Sequence, residues 1–326
     1  MDRQRILDHL DHTLPATQYD DLGSRYQGKV RDTYEQDGQL ILVTTDRISA
    51  FDHVLSQTIP FKGQVLNQTA AYFFEATSDL VPNHVIEVPD PNVTVARACT
   101  PIPIEFVVRG YLAGHAWRQY RDGARSLCGH SLPDGLRESE QLPSPIVTPT
   151  TKAEEGHDQD VTRKEAIAGT DIDAKTFDQL RDWAVALFRR GTEMAADQGL
   201  LLVDTKYEFG RTAEGEYVLI DEVHTPDSSR YYYRDGYEER LESGQPQRQL
   251  SKEFVREWLM EHDFQGREGE EMPDLPDAFR AKVAERYIEL YETVTGRSFE
   301  PDVHPEPEKR IHAALRKYAQ WGGQSA

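Results

Sequence analysis

The chain has 326 residues, of which 57 are acidic and 37 basic, so its formal net charge is −20. So acidic a chain excludes binding to nucleic acid over a broad surface, which needs a stripe of basic side chains. The sequence contains no run of about 20 apolar residues that could span a membrane. The opening MDRQRILDHLDHTLP has acidic side chains and no apolar core, so we expect neither a signal peptide nor a transit peptide.

The composition also indicates the cellular environment of the protein. Only two cysteines occur, Cys99 and Cys128, which are too few for a disulfide scaffold and predict a reducing, cytoplasmic location. The excess of acidic residues fits a halophilic protein, because salt screens the self-repulsion of an acidic surface, and it equally fits an ordinary acidic enzyme. Against this background, local clusters of Lys and Arg are candidate anion-binding sites.

The first third of the chain has the pattern of a β-sheet. Over residues 26–108, short β-branched and aromatic runs separated by polar residues predict a series of strands. Helix-forming residues over 67–80 predict one helix within this region. Residues 121–149 are polar and rich in Gly and Pro, which predicts a loop or a connection between lobes rather than regular structure.

Helical periodicity is clearest in the second half of the chain. Apolar residues recur at helical spacing over residues 175–198, and Gly199 follows where a helix would end. Two apolar runs, LLLVDTKYEF and EYVLIDEVH, flank GRTAEG and predict a hairpin. Further helices are predicted from Ser251, a candidate N-cap, and over residues 277–295.

These elements predict an α+β protein. We expect a β-rich N-terminal lobe over residues 1–112 and a mixed α/β central lobe over 113–250, with a cleft between them. Residues 251–326 should form a helical C-terminal portion. The sequence leaves open the oligomeric state, the role of residues 121–145 and that of the tail after Thr295.

The first candidate site lies in the segment QGKVRDTY. Lys29 and Arg31 are two positions apart, so on a strand both cations lie on one face, beside a glycine that lets a ligand approach the backbone. The pair could neutralise phosphate oxygens. A strand with a solvated basic face explains the same residues, and the segment is not a Walker A motif.

The second candidate site lies on the predicted hairpin. Asp204, Lys206 and Glu208 alternate and therefore share one face of a strand. If Lys206 pairs with Asp221, then Glu208 lies diagonally from Asp221, and two carboxylates so placed suit Mg²⁺ that also binds phosphate. A charged hairpin face with a cross-strand ion pair is the structural alternative.

Two loops carry further candidate ligand groups. The turn TPDSSR after the hairpin would present Asp227, Ser228 and Arg230 to a phosphate or carboxylate, although an ordinary Asx-type turn explains part of it. In VVRGYLAGHAW, Arg109 ends an apolar strand and glycines precede His115. A second histidine at ligand spacing is missing near His157, which excludes a zinc site there.

Taken together, the segments resemble one family closely. They extend from residue 28 to about residue 260, and their order in the chain is more specific than any one of them. The segments are GKVRDTY, TTDRISAFDHVL, KGQVLNQ, VVRGYLAGHAW, TPTTKAEEGHDQ, LVDTKYEFG, DEVHTPDSSRYY and QLSKEFVREWL. They are similar to those of phosphoribosylaminoimidazole-succinocarboxamide synthase, or SAICAR synthetase, in its long form.

The resemblance implies an ATP-dependent ligase of purine biosynthesis, whose central lobe binds ATP with Mg²⁺. ATP would phosphorylate the carboxylate of the carboxyaminoimidazole ribonucleotide, and the amine of L-aspartate would then displace phosphate. The implied catalytic residues are Lys206 and Asp204. The implied ligands are Gly28, Lys29, Arg31 and Lys152 for ATP; Asp46, Arg47, Arg109, His115, Asp227, Ser228 and Arg230 for the other substrates; and Glu208 and Asp221 for the metal.

Two departures from the family pattern and two rival functions accompany the resemblance. His115 stands where the family commonly has a serine, and Tyr231 and Tyr232 stand where a tryptophan is common. A phosphotransferase related to kinases would use similar charges, but the chain has neither a His-Arg-Asp loop nor an Asp-Phe-Gly sequence. A nucleotide-binding regulatory protein without turnover would need fewer charges at one point than this hairpin carries.

Overall fold

The computed structural model describes residues 1–152 and 159–319. In these ranges the helices are α1 (Arg3–Leu7), α2 (Lys62–Ala76), α3 (Gly114–Arg121), α4 (Arg163–Ala168), α5 (Ala174–Asp197), α6 (Tyr237–Ser243), α7 (Glu253–Glu261), α8 (Asp277–Thr295) and α9 (Pro307–Ala319). The strands are β1 (Ser24–Gln27), β2 (Arg31–Gln36), β3 (Gln39–Thr44), β4 (Ser49–Ala50), β5 (His53–Val54), β6 (Val85–Asp90), β7 (Val93–Arg97), β8 (Cys99–Tyr111), β9 (Ser126–Leu127), β10 (His130–Ser131), β11 (Gln141–Thr151), β12 (Leu200–Thr212), β13 (Tyr217–Ile220), β14 (Ser229–Tyr233) and β15 (Gln249–Leu250).

The chain divides into two compact units. Unit 1 comprises residues 1–72, 84–98 and 251–326, and unit 2 comprises residues 73–83 and 99–250. The sequence had suggested that the C-terminal helices form a third consecutive part. They group with the N-terminal segments in unit 1 instead. The physical reason is a shared apolar core, in which Val255, Leu259 and Val283 pack with Ile48 and Val65.

Unit 1 contains an antiparallel sheet with the strand order β1-β2-β3-β7-β6. Tyr34, Val43 and Val95 are fully buried on this sheet and pack with Ile311 and Leu315 of α9, a helix that lies in the tail left open by the sequence. The tight connection between β1 and β2 lies at one edge of the sheet and carries the first candidate site.

Unit 2 is built on a sheet with the order β11-β8-β12-β14-β15, and β13 pairs with β12. All these pairs are antiparallel. The long helix α5 covers one face of the sheet, where Phe177 packs 5.3 Å from Phe106, measured between ring centroids. The charged side chains of β12 lie on the opposite face, since successive side chains of a strand alternate.

The predicted α+β class is confirmed, together with its helical C-terminal portion. Helix α5 begins at Ala174 behind the side-chain cap of Asp173, and α8 spans the predicted residues 277–295. Helix α2 begins five residues earlier than residue 67, at Lys62. Helix α7 begins at Glu253, and its N-cap is Lys252 instead of the predicted Ser251, whose Oγ accepts a hydrogen bond from the Glu253 N–H at 3.2 Å. No helix among the described residues is long and apolar enough to cross a membrane.

The prediction of an irregular passage over residues 121–149 is wrong. Short strands β9 and β10 form a hairpin there, and β11 begins at Gln141 and pairs with β8. The prolines Pro143, Pro145 and Pro149 argue against a central strand, but β11 is an edge strand. An edge strand tolerates proline because one row of its backbone groups needs no partner in the sheet.

Candidate active site

Lys206 of β12 is the centre of a charge cluster in unit 2. Its Nζ lies 2.8 Å from Glu105 Oε1 of β8 and 2.9 Å from Glu208 Oε1. Asp221, which directly follows β13, brings Oδ2 to 3.9 Å. Burial alone would lower the pKa of the Lys206 ammonium, but the carboxylates of Glu208 and Asp221 outweigh it and raise the pKa well above its usual value. Lys206 is therefore a permanently charged cation at neutral pH.

Glu208 binds two cations at once. Its Oε1 accepts a hydrogen bond from Lys206, and its Oε2 accepts one from Lys152 Nζ at 2.5 Å. The Glu208 side chain is only 6% exposed, and burial, followed by the nearby Asp221 carboxylate, raises its pKa. Lys152, which was predicted to bind ATP, thus contacts Glu208, which was predicted to bind the metal. The neighbouring His157 lies outside the described residues.

The hairpin register differs from the expected one by one residue. The structure pairs Glu208 with Ile220, so Lys206 is not opposite Asp221. A regular strand in this register would turn Asp221 to the other face of the sheet. Strand β13 ends at Ile220, however, and Asp221 has a φ of 65°, so the alternation stops and its carboxylate returns towards Lys206.

A row of three charges crosses three strands next to this cluster. Asp204 of β12 is the register partner of Arg109 on β8 and of Arg230 on β14. Arg109 Nη1 lies 3.3 Å from Asp204 Oδ2, and Arg230 Nε lies 3.9 Å from Asp204 Oδ1. Two guanidinium groups around one carboxylate leave a net positive charge, which suits an anion with more than one oxygen.

A glycine makes room for one of these cations. An added Cβ at Gly114 would lie 2.6 Å from Arg230 Nη2, so a larger residue would displace the guanidinium. Gly114 also has a φ of 55°, in the left-handed region that favours glycine. The absence of a side chain at Gly114 therefore allows Arg230 to approach the backbone.

His115 follows at the start of α3 and is exposed. Its Nε2 lies 3.1 Å from Asp160 Oδ2, which also accepts a hydrogen bond from Gln119 at 2.8 Å. The hydrogen bond with His115, together with the other contacts, lowers the pKa of the Asp160 carboxyl. Imidazole and carboxylate thus form a pair. A serine at residue 115 would have too short a side chain to reach Asp160.

The turn after Asp221 is held by its own side chains. Ser228 Oγ accepts a hydrogen bond from the Thr225 N–H at 3.1 Å, and Thr225 Oγ1 donates to Glu222 Oε2 at 2.5 Å. The N–H of Asp227 donates to Thr225 Oγ1 at 3.3 Å. His224, fully buried below the turn, has a pKa lowered to about 4 by burial. Ser228 therefore stabilises the turn that carries Asp227.

The predicted phosphate ligands of unit 1 lie at the connection between β1 and β2. Gly28 N–H donates to Arg31 O at 2.8 Å and closes a tight turn. Lys29 is exposed on this turn, and its Nζ lies 2.6 Å from Asp52 Oδ1. Arg31 is the first residue of β2 and is half-buried. Two cations at a tight turn suit the oxygens of a phosphate.

Asp46 and Arg47, which follow β3, are both buried. Asp46 accepts hydrogen bonds from the N–H groups of Leu14 and Gly63, each at 2.8 Å, and burial raises its pKa to about 6. Arg47 donates to backbone carbonyls and to Asp32. The contacts of both side chains are thus with the protein itself, mostly with its backbone.

Two residues of the site were missed at the sequence level. Glu105 contacts Lys206, and Asp160 contacts His115. Glu105 could have been found, because it alternates with Arg109 on a predicted strand and so shares its face. Asp160 gives no such signal, since it lies on no predicted strand.

The comparisons with known proteins identify the family of the chain. The family model of SAICAR synthetase matches residues 24–273. A phosphoribosylaminoimidazole-succinocarboxamide synthase of Cytophaga hutchinsonii is 55% identical over 286 residues, which cover 88% of this chain and 92% of that protein.

Solved structures of the same family share the fold. SAICAR synthase from Saccharomyces cerevisiae, complexed with SAICAR, matches with a TM-score of 0.77 and 31% identity, over 89% of this chain and all of that one. A SAICAR synthetase in complex with ADP matches with a TM-score of 0.66 and 26% identity, over 85% of this chain and 100% of that one. The chain belongs to the SAICAR synthetase family.

Proposed function

We propose that this protein is the ATP-dependent ligase that joins L-aspartate to the carboxylate of 5-amino-1-(5-phosphoribosyl)imidazole-4-carboxylate. The products are the succinocarboxamide SAICAR, ADP and phosphate, in the purine biosynthetic route to IMP. The observation that carries the proposal is the face of β12, where Lys206 and Glu208 lie beside the row of Asp204, Arg109 and Arg230. Family membership supplies the substrates.

The reaction needs activation of the carboxylate, which is a poor electrophile. A carboxylate oxygen attacks the γ-phosphorus of ATP, and the bond to ADP breaks. The neutral amine of aspartate then attacks the acyl carbon, forms the amide and expels phosphate, and the nitrogen loses one of its two protons. A fixed cation beside the transferred phosphoryl group offsets the charge that develops there, and Lys206 is placed to do so.

Magnesium would be held by Glu208 and Asp221. Among residues 1–152 and 159–319, no group of three or more His, Cys, Asp or Glu side chains is arranged to hold a metal. Mg²⁺ in phosphate sites needs only one or two carboxylates, because water and phosphate supply the remaining ligands. Both carboxylate oxygens of Glu208 already accept hydrogen bonds from ammonium groups, so they lie where positive charge is bound. When bound, the ion would neutralise phosphate charge.

The remaining groups follow from their charges. Arg109 and Arg230 would bind the ribonucleotide phosphate, and Asp204 would keep the two guanidinium groups in place. His115 and the turn at Asp227 would contact the same substrate. Gly28, Lys29, Arg31 and Lys152 would bind the phosphates of ATP.

The cellular location and the salt dependence of the enzyme belong to the same proposal. We place the enzyme in the cytoplasm, because both of its cysteines are free in the described structure and a reducing compartment keeps them so. The net charge of −20 supports activity at high salt, since an acidic surface repels itself least when ions screen it.

The decisive experiment mixes the purified protein with ATP, magnesium, the carboxyaminoimidazole ribonucleotide and aspartate, at low and at molar potassium chloride. Mass spectrometry detects the succinocarboxamide, and phosphate release is followed in parallel. Product that requires all four components would establish the ligase. Phosphate without dependence on aspartate or the ribonucleotide would instead indicate an ATPase or a kinase-like enzyme. ATP binding without product or phosphate would indicate the regulatory alternative.

A further inference from the structure

The connection between β1 and β2 has an unusual arrangement of its backbone carbonyls. The carbonyl oxygens of Gly28 and Lys29 accept hydrogen bonds from the Arg47 side chain, at 3.0 Å from Nη2 and 3.1 Å from Nε. The next carbonyl, of Val30, accepts hydrogen bonds from Thr45 Oγ1 at 2.8 Å and from the Thr45 N–H at 3.0 Å. Consecutive carbonyls of the turn therefore all point towards one segment, residues 45–47.

Peptide geometry determines where the amide groups of this turn point. In a planar trans peptide the C=O and the following N–H point in opposite directions. With the Gly28 and Lys29 carbonyls held by Arg47, the N–H groups of Lys29 and Val30 are turned away from it. Adjacent N–H groups on one side of a tight turn form a concave anion-binding surface, and the side chain of Lys29 adds a positive charge.

Arg47 itself is held rigidly. It is 7% exposed, and its Nη1 donates to Pro15 O at 2.6 Å while its Nη2 also donates to Asp32 Oδ1 at 2.9 Å. Asp32 is fully buried and accepts a further hydrogen bond from the Thr17 N–H at 2.6 Å. Four of the five N–H donors of the guanidinium are thus engaged by the protein.

We propose that Arg47 is a positioning residue for ATP, which shapes the turn at residues 28–31 so that its N–H groups face the phosphates. The inference rests on the proposed function, because that function supplies ATP as the anion. It replaces the direct contact with the other substrates that the family resemblance implied for Arg47. Arg47 acts through the turn and touches no substrate.

The test compares Arg47→Gln and Arg47→Lys with a matched control, Arg25→Gln. Arg25 lies 3.4 Å from the same Asp32 carboxylate, but its hydrogen bonds in the described residues go to the side chains of Gln18 and Gln27. ATP affinity is measured by calorimetry with ATP and magnesium alone. The KM values for ATP, aspartate and the ribonucleotide are measured separately, and circular dichroism reports folding.

We expect Arg47→Gln to weaken ATP binding about tenfold, which corresponds to about 1.4 kcal/mol. The KM values for aspartate and the ribonucleotide should stay within about twofold, because uniform loss of nucleotide binding raises only the KM for ATP. Arg47→Lys should lie between, since an ammonium cannot reproduce the planar fork. Arg25→Gln should behave like the wild type.

An unchanged ATP affinity in a folded Arg47→Gln protein would overturn the proposal, as would an equal or larger rise in the KM for aspartate or the ribonucleotide. If Arg47→Gln does not fold, Arg47→Lys decides by the same criteria. If the wild type binds ATP but makes no succinocarboxamide, the proposed function fails, while the comparison of ATP affinities still decides the role of Arg47.

Discussion

Replacement of His224 tests whether the turn below the candidate metal ligand depends on a buried neutral imidazole. His224 is fully buried, and its Nε2 lies 3.3 Å from Leu187 O. It packs against α5 so closely that an added Cβ at Gly191 would lie 2.4 Å from its ring. Its φ is 55°, which asparagine tolerates better than most residues. His224→Asn therefore removes the titrating group without forcing the backbone.

The size of the expected change in stability follows from the pKa of His224. Burial lowers the pKa of His224 from 6.5 to about 4, so in this range the unfolded chain binds the proton more tightly than the folded protein. The stability contributed by a neutral His224 is present above about pH 6.5 and is lost as the pH falls towards 4. At 1.36 kcal/mol for each pKa unit, the loss in the free energy of unfolding is about 2–3 kcal/mol at about pH 4.5.

The assay must separate this effect from Asp46, which has the opposite sign. Burial raises the pKa of Asp46 from 3.8 to about 6, so the stability it contributes is lost as the pH rises through that value. Urea unfolding of wild type and His224→Asn is therefore compared at about pH 7.5 and about pH 4.5, since the difference cancels Asp46. The free energy of unfolding by which the wild type exceeds His224→Asn should be smaller at the lower pH by about 2–3 kcal/mol. An advantage that does not change with pH would refute the reasoning.

Three further substitutions test the proposed site. Glu208→Ala should abolish turnover and leave the circular dichroism spectrum unchanged; full activity near saturating magnesium would exclude Glu208 as a metal ligand. Gly114→Ala should raise the KM for the ribonucleotide about tenfold, because the new Cβ would lie 2.6 Å from Arg230 Nη2; an unchanged KM would place the phosphate elsewhere. His115→Ser should retain turnover, since the exposed imidazole pairs with Asp160; its loss would make the imidazole essential.

Local signals predicted the helices better than the strand pairings. Helices α5 and α8 repeat apolar residues at helical spacing, and α5 also has a capping side chain at Asp173, all of which lie within one segment. Strand β11 was missed because its prolines argue against a strand unless its edge position is known. That position depends on pairing with β8, about 40 residues away, which no local pattern reports.

The charges of the site were predictable where they alternate on one strand. Lys206 and Glu208 share a face of β12, as their spacing indicated. The approach of Asp221 was predicted from a register that is wrong, and the left-handed backbone at Asp221 restores it. A single residue in that conformation is beyond pattern analysis, because aspartate adopts it only when the surrounding structure holds it.

Strand β12 fixes the spacing between two parts of the proposed chemistry. Asp204, with its two arginine partners, and Lys206 are neighbours on one face, and side chains two positions apart on a strand are about 6.8 Å apart. The other face of β12 is fully buried at Tyr207 and Phe209 and packs under α5, so a slip of one residue would expose that core. In the proposed site, the binding of the ribonucleotide phosphate and the transfer of the phosphoryl group would therefore be coupled through a rigid element. Substitutions that loosen Phe209 should impair both, whereas a change at the exposed His115 should affect only the first.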